Sequence, residues 1–393
     1  KTMINFFERA VELAPELIKH RRTIHQNAEV GMELPKTSAY VFEQLEKMGY
    51  QTKYIAGSGV TAVVGKPGKT ILLRADMDAL PFKEESGLPF ASGDPEAAHC
   101  CGHDLHTAML LGAARLLKEN EDSLAGTVKL MFQPGEEVLE GALAMLENGI
   151  LENPRVDAAM GIHVNSKLPC GALIVFHGPT TASSDSFTIR VTGKGCHGSR
   201  PNEGVDPIAI ICHIHTALQQ LQARELAAGE TGVVTVGRLH AGNADNAIPS
   251  EAVMGGTIRT FNPEVRRMLL ARIPEICENV AKAFRGTAKA EFSPRHAITM
   301  VCDEDVSAQV RDALLTIYKP QQVMYLAKHF PGAEDFGFVA EKVPTSFVAL
   351  GASIGPDAEY GQHHPKVQFN EKCLPVGAAA YAQAAASWLE NNQ

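Results

Sequence analysis

Apolar residues recur at helical spacing from the start of the chain. Phe6, Phe7, Ala10, Val11, Ala14, Leu17 and Ile18 lie on one stripe of a 3.6-residue repeat. Pro15 falls inside it, where a proline breaks or restarts a helix. Short apolar runs bounded by turn residues come next: Val60 to Val64, Thr70 to Leu73, Val128 to Phe132 and Val156 to Ile162. They are nearly continuous rather than alternating, as in strands buried on both faces. Between them, Asp104 to Lys118 (DLHTAMLLGAARLLK) is apolar almost all round and predicts a buried helix. Strands interleaved with buried helices indicate an α/β domain with a mostly parallel sheet.

The middle of the chain has another rhythm. Phe187, Ile189 and Val191 alternate with Thr188 and Arg190, predicting a half-buried strand. Asp206-Pro207 opens a helix, with Asp as N-cap and Pro at the first helical position. Its expected inner face is Ile208, Ile211, Cys212, His215 and Leu218. Two strands come after it, about Val233 to Leu239 and Ala252 to Thr260. Asn262-Pro263 then repeats the helix-start signal, with Val265, Met268, Leu269, Ile276 and Val280 along one face. A last strand is expected near Ala288 to Phe292. The order βαββαβ is a ferredoxin-like plait. The final third returns to α/β character, with a strand from Thr345 to Leu350 and a helix through Trp388.

Composition narrows the picture without redirecting it. The 393 residues are 45% hydrophobic and 21% charged, which excludes disorder, collagen and coiled coil. That length suits two domains. A net charge of −9 argues against nucleic acid as the main partner. No apolar run approaches the roughly 18 residues that a membrane span needs. Residues 1–10 lack a charged-then-apolar leader pattern. Eight cysteines scattered over a long chain read as reduced thiols in a cytoplasm rather than a disulfide framework.

Three strand runs end in polar residues. Ile71-Leu72-Leu73 leads into Arg74-Ala75-Asp76-Met77-Asp78, Val128 to Phe132 into Gln133-Pro134-Gly135-Glu136-Glu137, and Val156 to Ile162 into His163. Ligands of open α/β sheets bind at the carboxyl ends of the strands, so these three deliveries predict one site. Any one of them alone reads as a solvated strand end. The strongest local signal is His99-Cys100-Cys101-Gly102-His103-Asp104-Leu105-His106. Thiolate and imidazole suit zinc-like ions, and Gly102 lets the flanking side chains converge. Cys101 also reads as a cysteine nucleophile. Cys100 reads as a small buried apolar residue, and His99 and His106 as packing or supporting histidines. In Glu136-Glu137, one carboxylate can bind metal while its neighbour serves as general base. Gly193-Lys194-Gly195-Cys196-His197-Gly198-Ser199-Arg200-Pro201 is a Gly-rich loop without the ending of a phosphate loop, and its histidine is a candidate donor. Taken singly, His363-His364, Asn246 and Arg259 read as loop or sheet-surface residues.

Together these motifs resemble the metal-dependent amidohydrolases of the aminoacylase and carboxypeptidase superfamily. The nearest branch is that of hippurate hydrolases, N-acetyldiaminopimelate deacetylases and plant auxin–amino acid conjugate hydrolases. The resemblance rests on Leu73 to Pro81, Cys101 to His106, Gln133 to Glu137, Gly161-Ile162-His163, His197 to Pro201 and His363-His364-Pro365, in that order along the chain. Cys100 departs from the branch, where a small residue is usual.

The resemblance implies a mostly parallel-sheet di-metal catalytic domain (1–180 and 296–393) with an inserted dimerisation domain (181–295). It implies two divalent ions (zinc, manganese, cobalt or nickel) held by Cys101, His103, Glu137, His163 and His363. Cys101 would bridge; His103 and His163 would serve one ion, Glu137 and His363 the other. Glu136 would be the general base. His197 would reach the partner subunit's site and polarise the scissile carbonyl. Asn246 and Arg259 would hold the substrate carboxylate. The implied activity is hydrolysis of N-acyl amino acids by a homodimer or tetramer. A metallo-carboxypeptidase or dipeptidase, a cysteine hydrolase centred on Cys101 and a non-catalytic binding protein are the competing readings.

Overall fold

The structure, a computed structural model, describes residues 5–330, 332–355 and 359–393; residues 1–4, where the leader reading begins, lie outside it. The chain forms two compact units. One comprises 1–178, 301–328 and 335–393; the other comprises 179–300 with 329–334.

The larger unit is built on an eight-stranded sheet. Its strands run in the order Lys53–Ile55, Gly59–Gly65, Thr127–Gln133, Thr70–Asp76, Ala158–Asn165, Thr345–Gly351, Leu173–Phe176 and Val323–Leu326. The four central strands, from Thr127–Gln133 to Thr345–Gly351, are mutually parallel. Every residue of Thr70–Asp76 and of Thr345–Gly351 is buried, which is why both lack the alternation of a one-sided sheet. Three pairings are antiparallel, so the sheet is mixed towards its edges.

The predicted buried helix spans His103–Glu119 and packs against Leu374–Asn391. Small residues make that close approach feasible. A Cβ on Gly112 would lie 2.9 Å from the Ala378 Cβ, and one on Gly377 would overlap the Met109 sulfur. The first helical stripe is in fact two helices, Phe6–Glu12 and Ala14–Gln26, with Pro15 in the first turn of the second. Among the described residues no helix is long and apolar enough to cross a membrane.

The second unit is the βαββαβ plait. Its antiparallel sheet runs Gly232–Ala241, Glu251–Thr260, Ser184–Thr192, Thr287–Ala297. Both helix starts have the expected caps: Asp206 accepts from the Ile208 N–H and Asn262 from the Glu264 N–H. The face of Pro207–Gln220 differs from expectation. Ile210, Ile211, Ile214 and Leu218 are buried, whereas Ile208, Cys212 and His215 are exposed. PIAIICHIHTAL is apolar on two stripes, and the stripe with the bulkier aliphatic side chains faces the sheet. Pro263–Ala283 is rotated less, burying Val265 and Leu269 with Met268, Ile276 and Val280 on its flank.

One tie joins the last helix to the sheet. The buried Tyr381 hydroxyl donates to the Arg74 carbonyl (2.6 Å) and accepts from the Ile162 N–H (2.8 Å). Tyr381→Phe strips both partners of a buried hydrogen bond. It should destabilise the larger unit by about 1–3 kcal/mol, read as a lower urea midpoint. An unchanged midpoint would show that the tie carries no net stability.

Candidate metal centre

The strands Thr127–Gln133, Thr70–Asp76 and Ala158–Asn165 are parallel neighbours in the sheet, so their carboxyl ends share one edge. Asp78, just past one strand, organises the others. Its carboxylate accepts the backbone N–H groups of Glu136 (3.1 Å) and Glu137 (3.0 Å), clamping the turn that carries them. Its carbonyl accepts from His103 Nδ1 at 2.9 Å. A carbonyl only accepts, so the neutral His103 ring presents an unprotonated Nε2. His163 is set in the same way, its Nδ1 donating to the Val164 carbonyl at 2.7 Å.

His103 opens the long helix, and Gly102 before it has φ +98°. That left-handed turn bends the chain between Cys101 and His103 and favours glycine.

The side chains so placed converge. Ligand atoms of Cys101, His103 and His163 lie within 4.8 Å of one another, as do those of Cys101, Glu137 and His363. Cys101 Sγ is 3.5 Å from His163 Nε2, and His363 Nε2 is 3.5 Å from Glu137 Oε1. His364 turns elsewhere: its Nδ1 accepts from the Lys366 N–H and its ring stacks on Tyr360.

The two histidines read as supporting residues stay outside both groups. His106 takes the Val164 N–H on Nε2 (2.8 Å) and donates from Nδ1 to Asp76 (2.5 Å), so both its nitrogens are engaged. Burial lowers it to about 4, against the pull of Asp76. His99 is fully buried beside His25 and is likewise lowered by burial, to about 3. Cys100 is also buried, and all eight cysteines are free thiols.

The electrostatics call for a cation. His103 Nε2 and Glu137 Oε1 are both buried, lie 3.8 Å apart, and have no hydrogen-bond partner among the described residues. Burial alone would lower the His103 pKa, but the carboxylates of Asp76, Asp78 and Glu137 override it and push the ring to about 10. Burial, reinforced by Asp78 and Asp76, raises Glu137 to about 7. Burial followed by the Glu137 and Glu136 charges raises the Cys101 thiol well above its ordinary value. Each is a group that a divalent ion would hold in its ligating form: thiolate, carboxylate and neutral imidazole. Three imidazoles, a thiol and a carboxylate as donors match zinc-like ions, so the residues fit a metal. Glu136 is buried at the rim, with Oε2 3.8 Å from His103 Nε2.

The remaining predicted residues belong to the second unit. His197 is exposed and pairs in a two-residue ladder with Ala247; Asn246 directly precedes Ala247, and its carbonyl accepts the Gly198 N–H at 2.7 Å. Arg259 lies at the far end of Glu251–Thr260, half-buried, with Nη1 lacking a hydrogen-bond partner among the described residues. At about 3.3 Å per residue, the eight steps from Glu251 to Arg259 span roughly 26 Å of strand.

The model of Peptidase family M20/M25/M40 matches residues 72–387. The chain belongs to this family. It is 36% identical over 386 residues to the N-acetyl-L-cysteine deacetylase of Bacillus subtilis, covering 97% of this chain and 90% of that protein. It is 37% identical over 383 residues to thermostable carboxypeptidase 2 of Saccharolobus solfataricus, covering 94% and 95%. Among solved structures, a dinuclear metal binding peptidase of the M20 family from Bacillus subtilis superposes with a TM-score of 0.84 at 32% identity, covering 96% of this chain and 99% of that one.

The M20 site also rests on residues that motif reading passed over. Arg74, fully buried, donates to Gln133 Oε1 (2.8 Å), Asp76 Oδ2 (2.8 Å) and Asp335 Oδ1 (3.2 Å). Asp335 also accepts from Gln133 Nε2 (2.8 Å) and the Ala142 N–H (2.9 Å). This network ties the ends of two strands together under the site. On the other side Arg21 and His25 grip Asp104, at 2.7 and 2.8 Å, behind the start of the long helix. Asp76 and Asp78 had a signal, two carboxylates at a strand end; Asp335 had none.

Gly102 gives this M20 chain a direct test. A Cβ there would lie 2.4 Å from Val164 Cγ2, in a left-handed conformation. Gly102→Ala should cost about 1–3 kcal/mol in a chemical denaturation curve and disturb the Cys101–His103 turn. A wild-type curve would mean that the turn accommodates a side chain.

Proposed function

We propose that the protein is a metal-dependent amidohydrolase that cleaves N-acyl amino acids into a carboxylic acid and a free amino acid. The observation that carries this reading is the buried pair His103 Nε2 and Glu137 Oε1. They lie 3.8 Å apart without hydrogen-bond partners among the described residues, with Cys101, His163 and His363 gathered round them and a further carboxylate, Glu136, at the rim. Membership of the M20 family and similarity to an N-acetyl-L-cysteine deacetylase support the substrate class.

In this reading Cys101, His103, Glu137, His163 and His363 would hold two divalent ions. The donor set accepts zinc, manganese, cobalt or nickel. Such ions supply a water of lowered pKa and polarise the scissile carbonyl.

The protein's own groups do the rest. Glu136 takes a proton from the attacking water and passes it to the leaving amine nitrogen, so that water is divided between acid and amine. Asp78 holds Glu136 and Glu137 through their backbone N–H groups and keeps the two carboxylates in separate roles. His197 donates to the developing oxyanion. Arg259, a half-buried cation with an Nη1 that has no partner among the described residues, takes the free carboxylate of the substrate.

Asn246 lies beside His197, and His197 is exposed on the second unit, where a neighbouring copy can meet it. The proposal therefore includes a homodimer in which His197 and Asn246 serve the neighbouring copy, the inserted unit serving as the dimerisation domain. Its setting would be the cytoplasm.

The similarity to a carboxypeptidase favours one alternative, cleavage of peptides from a free C-terminus. Metal analysis with a panel of N-acetyl and N-benzoyl amino acids and dipeptides, before and after chelation, separates the two. The proposal expects bound divalent metal and chelator-sensitive cleavage of the N-acyl compounds; cleavage of dipeptides alone selects the alternative.

Two variants test the roles. Glu136→Gln should retain metal and lose roughly a hundred- to ten-thousandfold in kcat, the usual cost of a removed general base. Near-normal turnover removes Glu136 from the role. His197→Ala should retain metal and lose most activity, and mixing it with Glu136→Gln subunits should restore part of it through hybrid dimers. No recovery would argue for a site completed within one subunit.

A further inference from the structure

We propose that Ser199 is a positioning residue that fixes the tautomer and orientation of His197, a role that rests on the reading of His197 as the oxyanion donor. His197 Nδ1 receives the Ser199 backbone N–H at 3.1 Å and faces the Ser199 hydroxyl at 2.8 Å. A backbone N–H can only donate. In the neutral ring Nδ1 is therefore the acceptor, the hydroxyl hydrogen points to it as well, and the ring proton sits on Nε2. That leaves an outward N–H, the group a carbonyl oxygen gathering negative charge requires.

The main chain beneath the ring is held just as tightly. The Gly198 N–H bonds to the Asn246 carbonyl at 2.7 Å, and the Arg200 N–H bonds back to the His197 carbonyl at 2.8 Å. Ala247 and Ile248 pair in register with His197 and Cys196. A Cβ on Gly198 would lie 2.9 Å from the Asn246 oxygen, so the approach of the two segments depends on glycine there.

An exposed histidine in water turns about its side-chain bonds and exchanges its proton between nitrogens. Here the frame fixes the backbone, the Ser199 N–H marks Nδ1 as the acceptor, and the Ser199 hydroxyl adds the second, shorter bond that holds ring rotation and the site of the proton. Ser199 touches no reacting atom. It acts through His197.

The test uses the full-length, metal-loaded enzyme with 15N-labelled histidine, and His197→Ala identifies the His197 resonances. Wild type should show Nδ1 unprotonated and Nε2 protonated when the ring is neutral. Ser199→Ala should move the Nδ1 resonance towards the tautomer-averaged position. It should also lower kcat roughly 3- to 10-fold, as for one lost side-chain hydrogen bond, with KM within about twofold. Ser199→Thr, which keeps the hydroxyl, should restore both. A proton on Nδ1 in wild type, or an unmoved Nδ1 resonance in Ser199→Ala, overturns the proposal. Full turnover in His197→Ala overturns the catalytic reading instead, and the spectra then still decide whether Ser199 sets the ring.

Discussion

A buried imidazole nitrogen facing a buried carboxylate oxygen with nothing to bond to is costly in an apolar interior. His103 and Glu137 present that arrangement at 3.8 Å, in a pocket whose other charges are also carboxylates. Folding would ordinarily remove such a conflict by rotating one side chain to water or to a partner. Here His103 is anchored from behind by the Asp78 carbonyl, and the turn that carries Glu137 is held by the Asp78 carboxylate. The arrangement is thus built in: without a metal, a proton on His103 answers the carboxylates, and a divalent cation would take that place.

The surroundings read as a mount for that spot. Arg74 neutralises Asp76 and Asp335 beneath it, and Arg21 neutralises Asp104 behind it. These pairs are fully buried, so their strength in hydrogen-bonded charge is matched by the cost of desolvating them. Their contribution is geometric: they hold the strand ends and the helix start in one arrangement. Tyr381 and the small residues facing Leu374–Asn391 extend the same rigidity through the sheet to the last helix.

Much of this was legible in the residues. Cys101, His103, Glu137, His163 and His363 have bland readings one by one; the resemblance of the combined motifs singled them out, and the structure gathers those side chains. The βαββαβ rhythm was legible because Asp206 and Asn262 are clear N-caps and Phe187, Ile189 and Val191 alternate with polar residues in the first strand. Three things were not. The inward stripe of Pro207–Gln220 could not be read, since two stripes of that helix are apolar and only packing chooses between them. The antiparallel direction of Gly59–Gly65 could not be read either, because a buried strand looks alike in both directions. Asp335 bonds Arg74 across 261 residues of chain, and nothing local marks a carboxylate as the partner of a distant guanidinium.

The strand Thr345–Gly351 lies inside the large sheet, parallel to Ala158–Asn165 on one side and antiparallel to Leu173–Phe176 on the other. Everything between those partners and itself, including the whole βαββαβ unit, emerges from the ribosome first. The inserted unit, with its own core and local pairings, is free to fold while the sheet of its host still lacks an inner member. Long-range pairing of this kind is slow and leaves apolar edges bare meanwhile. Until Thr345–Gly351 is made, the edges of Ala158–Asn165 and Leu173–Phe176 that it covers have no strand to pair with, whatever the state of the insertion.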